Sequence, residues 1–146
     1  MREFSPLPQP NDAKGQPRKT GVEIELGGLE EAAVAQICAK GLGGEVEQVD
    51  SHIWCVKNSR IGKIEVYLDT FLRSAAQSKL RDLALDLGRE VVPVEIVSEP
   101  LDRDGLQKLD GLRDSLRKAG ALGSGAGIVF GFGVHLNVQI ASYRDA

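Results

Sequence analysis

The chain has 146 residues, 42% hydrophobic and 27% charged, with a formal net charge of -3, which describes one soluble globular domain with an ordinary core. No basic stripe stands out, so nucleic acid is not an expected partner. The two cysteines, Cys38 and Cys55, form no CxxC unit, and no apolar run could span a bilayer or serve as a signal peptide. The expectation is a cytoplasmic protein with reduced, structural thiols and no membrane partner.

Residues 1–19 carry Pro6, Pro8, Pro10 and Pro17 among polar residues, and read as a disordered or loosely docked tail. The folded domain is expected over residues 20–146. Val22, Ile24 and Leu26 alternate with Glu23 and Glu25, which predicts a strand, and Gly27 and Gly28 break it. A helix is expected from about Leu29 to Lys40, with Leu29, Ala33 and Ile37 as its buried stripe. Gly41, Gly43 and Gly44 end it.

Two strand-like runs follow, Glu45–Val49 and Ile53–Val56. The Asn58-Ser59-Arg60 turn then joins the Trp54 strand to one in which Ile64, Val66 and Leu68 alternate with Lys63, Glu65, Tyr67 and Asp69. A second helix is expected over Phe71–Leu87. The strand VVPVEIVSEP comes next, with Pro93 near its start. A third helix is predicted from about Asp104 to Ala119 on the stripe Leu106, Leu109, Leu112 and Leu116. A glycine-rich connection then leads to a last strand, Ile128–Ile140. The outline is an α+β domain: a largely antiparallel sheet with its helices on one face.

Successive strand side chains point to opposite faces. Behind the aliphatic positions, the four strands therefore present Glu23 and Glu25; Glu65 and Asp69; Glu95 and Glu99; and His135, Asn137 and Gln139. Any one of these rows alone reads as a solvated strand face. Recurring in four strands of one sheet, they would line a trough of carboxylates and imidazole. Like charges that close oppose one another's ionisation, and a divalent cation relieves the repulsion. Oxygen ligands suit magnesium, and His135 adds tolerance for manganese.

The segments GVEIELGGL (21–29), VPVEIVSEPL (92–101) and GFGVHLNV (131–138), with LRKAGA (116–121) before the glycines, resemble the amidoligase family. That family is grouped with glutamine synthetase and glutamate–cysteine ligase. The resemblance spans about residues 20–140. It implies a glutamine-synthetase-like sheet and ATP-dependent joining of a small-molecule or peptide carboxylate to an amine, through an acyl phosphate. By the same likeness Glu23, Glu25, Glu95, Glu99 and His135 correspond to metal ligands for Mg2+ or Mn2+. Asn137 accompanies the histidine, and Asp69 closes the strand after the Trp segment; both are expected to serve the chemistry. Family members continue past the histidine strand with further helices and arginines. The expectation is thus a domain truncated at its C-terminus, with a missing C-terminal half or a second copy as partner.

Two other functions fit the same acids: a non-catalytic remnant that serves as an interaction domain, and a metal-dependent hydrolase. The glycines at 120, 123, 125 and 127 follow a helix and precede a strand. That is the reverse of a phosphate-binding loop, and they read as a connection. His52 is expected at the surface, and Trp54 in the core or a pocket wall.

Overall fold

The computed structural model describes residues 4–68, 93–123 and 133–142. The elements, in chain order, are β1 (Thr20–Leu26), α1 (Glu31–Leu42), β2 (Glu45–Asp50), β3 (Ile53–Ser59), β4 (Gly62–Leu68), β5 (Val94–Ser98), α2 (Arg103–Asp110), α3 (Leu112–Lys118) and β6 (Val134–Val138). The six strands form one sheet in the order β2-β3-β4-β5-β1-β6. Every neighbouring pair is antiparallel. The α+β expectation holds. The predicted helix over Phe71–Leu87, and the first part of the predicted last strand, lie outside the described residues.

The aliphatic positions of the strands form one side of the core. Val22, Leu26, Val56, Ile64, Val66, Val94 and Ile96 are buried, and α1 crosses β2, β3 and β4 above them. Its buried residues are Val34, Ala35, Cys38 and Leu42. The expected stripe of Leu29, Ala33 and Ile37 is therefore corrected. Leu29 and Ile37 pack at the core's edge, and Ala33 is exposed. The helix starts two residues later than expected and runs through Gly41, which turns a different stripe inward. It stops at Gly43, whose φ of 75° suits glycine at a helix end.

The single predicted helix over Asp104–Ala119 is two, broken at Gly111, which bears no side chain to pack. The Asp102 side chain accepts from the Gly105 N–H at 2.8 Å and caps α2. Leu109, Leu112 and Leu116 are buried as expected, and α3 packs against α1. A Cβ at Gly41 would collide with Leu112, so the glycine lets the two helices approach closely. Beyond α3, Leu122 exchanges both backbone hydrogen bonds with Gly27, at 2.9 and 3.0 Å. The start of the glycine-rich connection is thus tied to the end of β1.

Pro93 stands immediately before β5, which is a central strand, so the proline's missing N–H falls outside the ladder. β6 forms one end of the sheet among the described strands. Its aliphatic residues Val134, Leu136 and Val138 lie on the helix side but are exposed, where burial against helices was expected. Residues 9–19 are joined to the C-terminal end of β6. Gln139 N–H donates to the Lys19 carbonyl at 2.9 Å, Arg18 Nε donates to the Gln139 carbonyl at 2.7 Å, and Gln139 Nε2 donates to Asp12 at 3.2 Å. Among the described residues, no helix is long and apolar enough to cross a membrane.

Candidate functional site

The face of the sheet turned away from the helices carries the polar side chains, and strand register decides which of them meet. Three rows run across the strands. In the middle row, His135 of β6 stands opposite Glu23 of β1, and Glu23 stands opposite Val97 of β5. Val97 is in turn opposite Glu65 of β4, and Glu65 opposite Cys55 of β3. One pleat step along, Glu25 of β1 is opposite Glu95 of β5, and Glu95 is opposite Tyr67 of β4. One step the other way, Asn137 is opposite Gly21.

Glu23 is the hub of the β1–β6 side. It accepts from Asn137 Nδ2 at 3.0 Å, and its second oxygen lies 3.4 Å from His135 Nδ1, near the long limit for a hydrogen bond. The Glu23 side chain is 34% exposed and that of His135 59%, so both are reachable from solvent. Glu23 of β1 and His135 and Asn137 of β6, from two distant stretches of sequence, are thus brought together.

On the β4–β5 side, Tyr67 stands directly opposite Glu95. Burial, and then the charge and hydrogen bond of Glu95, push the tyrosine hydroxyl up to about 12. Glu23 and Glu65 add to the rise by their charge. Tyr67 is therefore a neutral donor at physiological pH, standing among carboxylates. The residue alternation already put Tyr67 on this face with Glu65; a phenol within an acidic row was the signal that could have marked it.

Glu99 stands apart. It lies just past the end of β5, four residues from Glu95, which at ~3.4 Å per residue is ~13 Å, and its carboxylate lies against Gly62. Lys63 pairs with Glu65 at 2.6 Å, and Lys57 pairs with Glu47. The lysines of β3 and β4 therefore answer the acids on that side of the sheet, away from β1. Asp69 lies outside the described residues. No group of three or more His, Cys, Asp or Glu side chains converges tightly enough to enclose a metal ion among the described residues. The face instead sets side chains in opposed pairs, Glu25 with Glu95 and Glu23 with His135.

An apolar cleft of about 500 Å3 opens on the opposite, helix side, between β1, β6 and the α2–α3 pair. Val22, Leu26, Leu109, Leu116 and Leu136 line it, with Phe4 at its mouth. Asp110, Arg113 and Arg117 also line it, but the opposed acid and imidazole pairs lie across the strands of the polar face, where the candidate chemistry is assigned. Other readings from the sequence resolve simply. Cys38 and Cys55 are free and buried, and burial pushes the Cys38 thiol up to about 12, which keeps it protonated and unreactive. His52 is at the surface, 2.8 Å from Glu31 Oε1, and Trp54 packs against the core.

Residues 16–146 match the family model described as "Putative amidoligase enzyme". A search of curated proteins finds no match, and a search of solved structures finds none.

Proposed function

The chain belongs to the amidoligase family, and from that premise we propose that its polar sheet face serves ATP-dependent ligation of a carboxylate to an amine. The observation that carries this reading is the register of β1, which sets Glu25 against Glu95 and Glu23 against His135. In the proposed reaction, a carboxylate oxygen takes the γ-phosphoryl group of ATP, giving an acyl phosphate and ADP. The amine nitrogen then bonds to the carbonyl carbon, phosphate leaves with the bonding pair, and the nitrogen gives up a proton. The substrates are a small-molecule or peptide carboxylate and an amine. The sheet would be used as in glutamine synthetase.

Two anions, triphosphate and carboxylate, must be held side by side. A sheet face rich in acids would repel both unless cations intervene. The donor set fits magnesium, with manganese as an alternative, because both are hard ions that favour oxygen ligands. Magnesium usually takes one or two carboxylates, keeps several waters and completes its shell with substrate phosphates. Glu25 and Glu95 would hold one such ion and Glu23 a second, with His135 beside it. Bound there, the metal would neutralise phosphate charge and align the transfer. Asn137 donates to Glu23 and would hold its orientation, and His135 would join Glu23 in holding the second ion. Two free, buried thiols fit a reducing compartment, and we assign the reaction to the cytoplasm.

Calorimetric titration with ATP, with and without magnesium, tests this function. Magnesium-dependent binding in the native chain, lost in the double variant Glu25→Gln plus Glu95→Gln with its fold intact, is the expected result. Equal binding by the double variant would remove the sheet face from the account. Metal-dependent phosphate-ester or amide cleavage without ATP would replace the ligase with a hydrolase.

A further inference from the structure

We propose that the chain pairs with a second copy of itself along the outer edge of β6, continuing the sheet across a two-fold axis and joining the two polar faces. The pairing stands on the strand alone; its bearing on the site rests on the ligase reading above.

The two ends of the sheet are unlike. β2, at one end, carries Glu45, Glu47 and Asp50 and a bulge between Gln48 and Asp50. Charges and bulges are the usual means by which an edge strand refuses further pairing. β6, at the other end among the described strands, reads VHLNV, with no proline, lysine or acid, and its pairing to β1 runs without a shift of register. Register also fixes which of its peptide groups are open. Gln139 N–H donates to the Lys19 carbonyl and Glu25 N–H to the Gly133 carbonyl, both at 2.9 Å. Bonded pairs recur at every second residue, so His135 and Asn137 turn their peptide groups towards β1, while Val134, Leu136 and Val138 turn theirs outward. The same three side chains are exposed, by 58%, 60% and 42%.

A second β6 matches this edge. Antiparallel about Leu136, it sets Leu136 against Leu136 and Val134 against Val138, each opposed pair exchanging two backbone hydrogen bonds. On the polar face His135 meets the partner's Asn137, so no carboxylate or ammonium faces its like. Opposed Cβ atoms lie ~4.5–5.5 Å apart, which brings the partner's Asn137 beside the Glu23–His135 pair and makes the two sites one continuous surface. The two-fold pairing consumes both β6 edges and leaves only the acidic β2 edges at the ends, so assembly stops at a dimer. One strand pair is smaller than the ~1,600 Å2 of a standard interface, so the dimer should dissociate on dilution.

The test is sedimentation of the full chain, without metal or nucleotide, from about 1 μM to about 1 mM. The native chain is expected to pass from monomer to dimer. Leu136→Lys and Leu136→Glu, each checked for its fold by thermal midpoint, place like charges on the two-fold axis and should stay monomeric. Mixed in equal amounts they should dimerise again, which misfolded variants could not do. A native chain still monomeric at about 1 mM, a dimer that survives in both variants, or no recovery on mixing would overturn the proposal. A monomer whose Leu136 amide is nonetheless protected from hydrogen exchange would assign the edge to another part of the same chain. Because metal and nucleotide are left out, failure of the dimer leaves the ligase reading standing, and failure of magnesium-dependent ATP binding leaves the dimer.

Discussion

Replacing Glu25 by glutamine should make the metal-free protein more stable and the metal-loaded protein comparatively less so. Glu25 and Glu95 are directly opposed in the β1–β5 ladder, and both are half-buried. Opposed residues have Cβ atoms ~4.5–5.5 Å apart, and like charges there are destabilising. With carboxylates ~6 Å apart, the repulsion is about 0.7 kcal/mol in the dielectric of water and about 3 kcal/mol at an effective constant of 20. Partial solvent exposure favours the lower end, so the substitution should stabilise by about 1 kcal/mol, or roughly 3 °C in melting temperature for a chain of this size. The assay is thermal unfolding at neutral pH and low salt, in a chelator and then in excess Mg2+. In chelator the variant should melt higher, and added salt should shrink the difference. Mg2+ at 100 times its dissociation constant should stabilise the native chain by about 2.7 kcal/mol and the variant by much less, reversing the order. A variant that melts lower in chelator, or that gains as much from Mg2+ as the native chain, would refute the reasoning.

Other outcomes follow from the packing and from Tyr67. Leu42, 1% exposed at the end of α1, should cost about 2–5 kcal/mol when cut to alanine, measured by urea unfolding. Gly28 has φ of 79°, and a Cβ there would lie 2.7 Å from the Gly120 carbonyl oxygen. Gly28→Ala should therefore destabilise by more than about 1 kcal/mol in the same assay, since it adds a collision to a left-handed backbone. In metal-free protein, Tyr67 should ionise near 12 rather than at the ordinary tyrosine value of 10.0, which ultraviolet titration reads directly. Because the folded pKa is raised, its contribution to stability is intact below pH 10 and declines as pH rises from 10 towards 12. Glu95→Gln should bring that ionisation down.

Much of this arrangement could be read from residue alternation. Period-two patterns identified β1, β4, β5 and β6 and assigned Glu23, Glu25, Glu95 and His135 to one face, because a strand's faces are fixed by the pleat alone. Which acids become neighbours was not legible. That depends on register and strand order, which place β5 between β4 and β1 and so bring Tyr67 to Glu95, yet carry Glu99 away to Gly62. The helices show the same division. Apolar periodicity located α1, but tertiary contact with β3 and β4 selected Val34, Cys38 and Leu42 as its buried stripe. Gly111 interrupts a leucine stripe that reads as continuous in sequence. The exposed aliphatic side of β6 was equally invisible, since alternation gives a direction and not what covers it.

The most direct test of the central claim is to locate a bound cation. Substoichiometric Mn2+ broadens nuclear resonances near it, and on an amide-assigned spectrum it should erase Glu23, Glu25, Glu95 and His135 with their strand neighbours first while α3 stays sharp. Adding ATP should deepen the effect at the same residues. Broadening centred elsewhere, or none at these four positions, would contradict the assignment of the polar sheet face as the site of ligation.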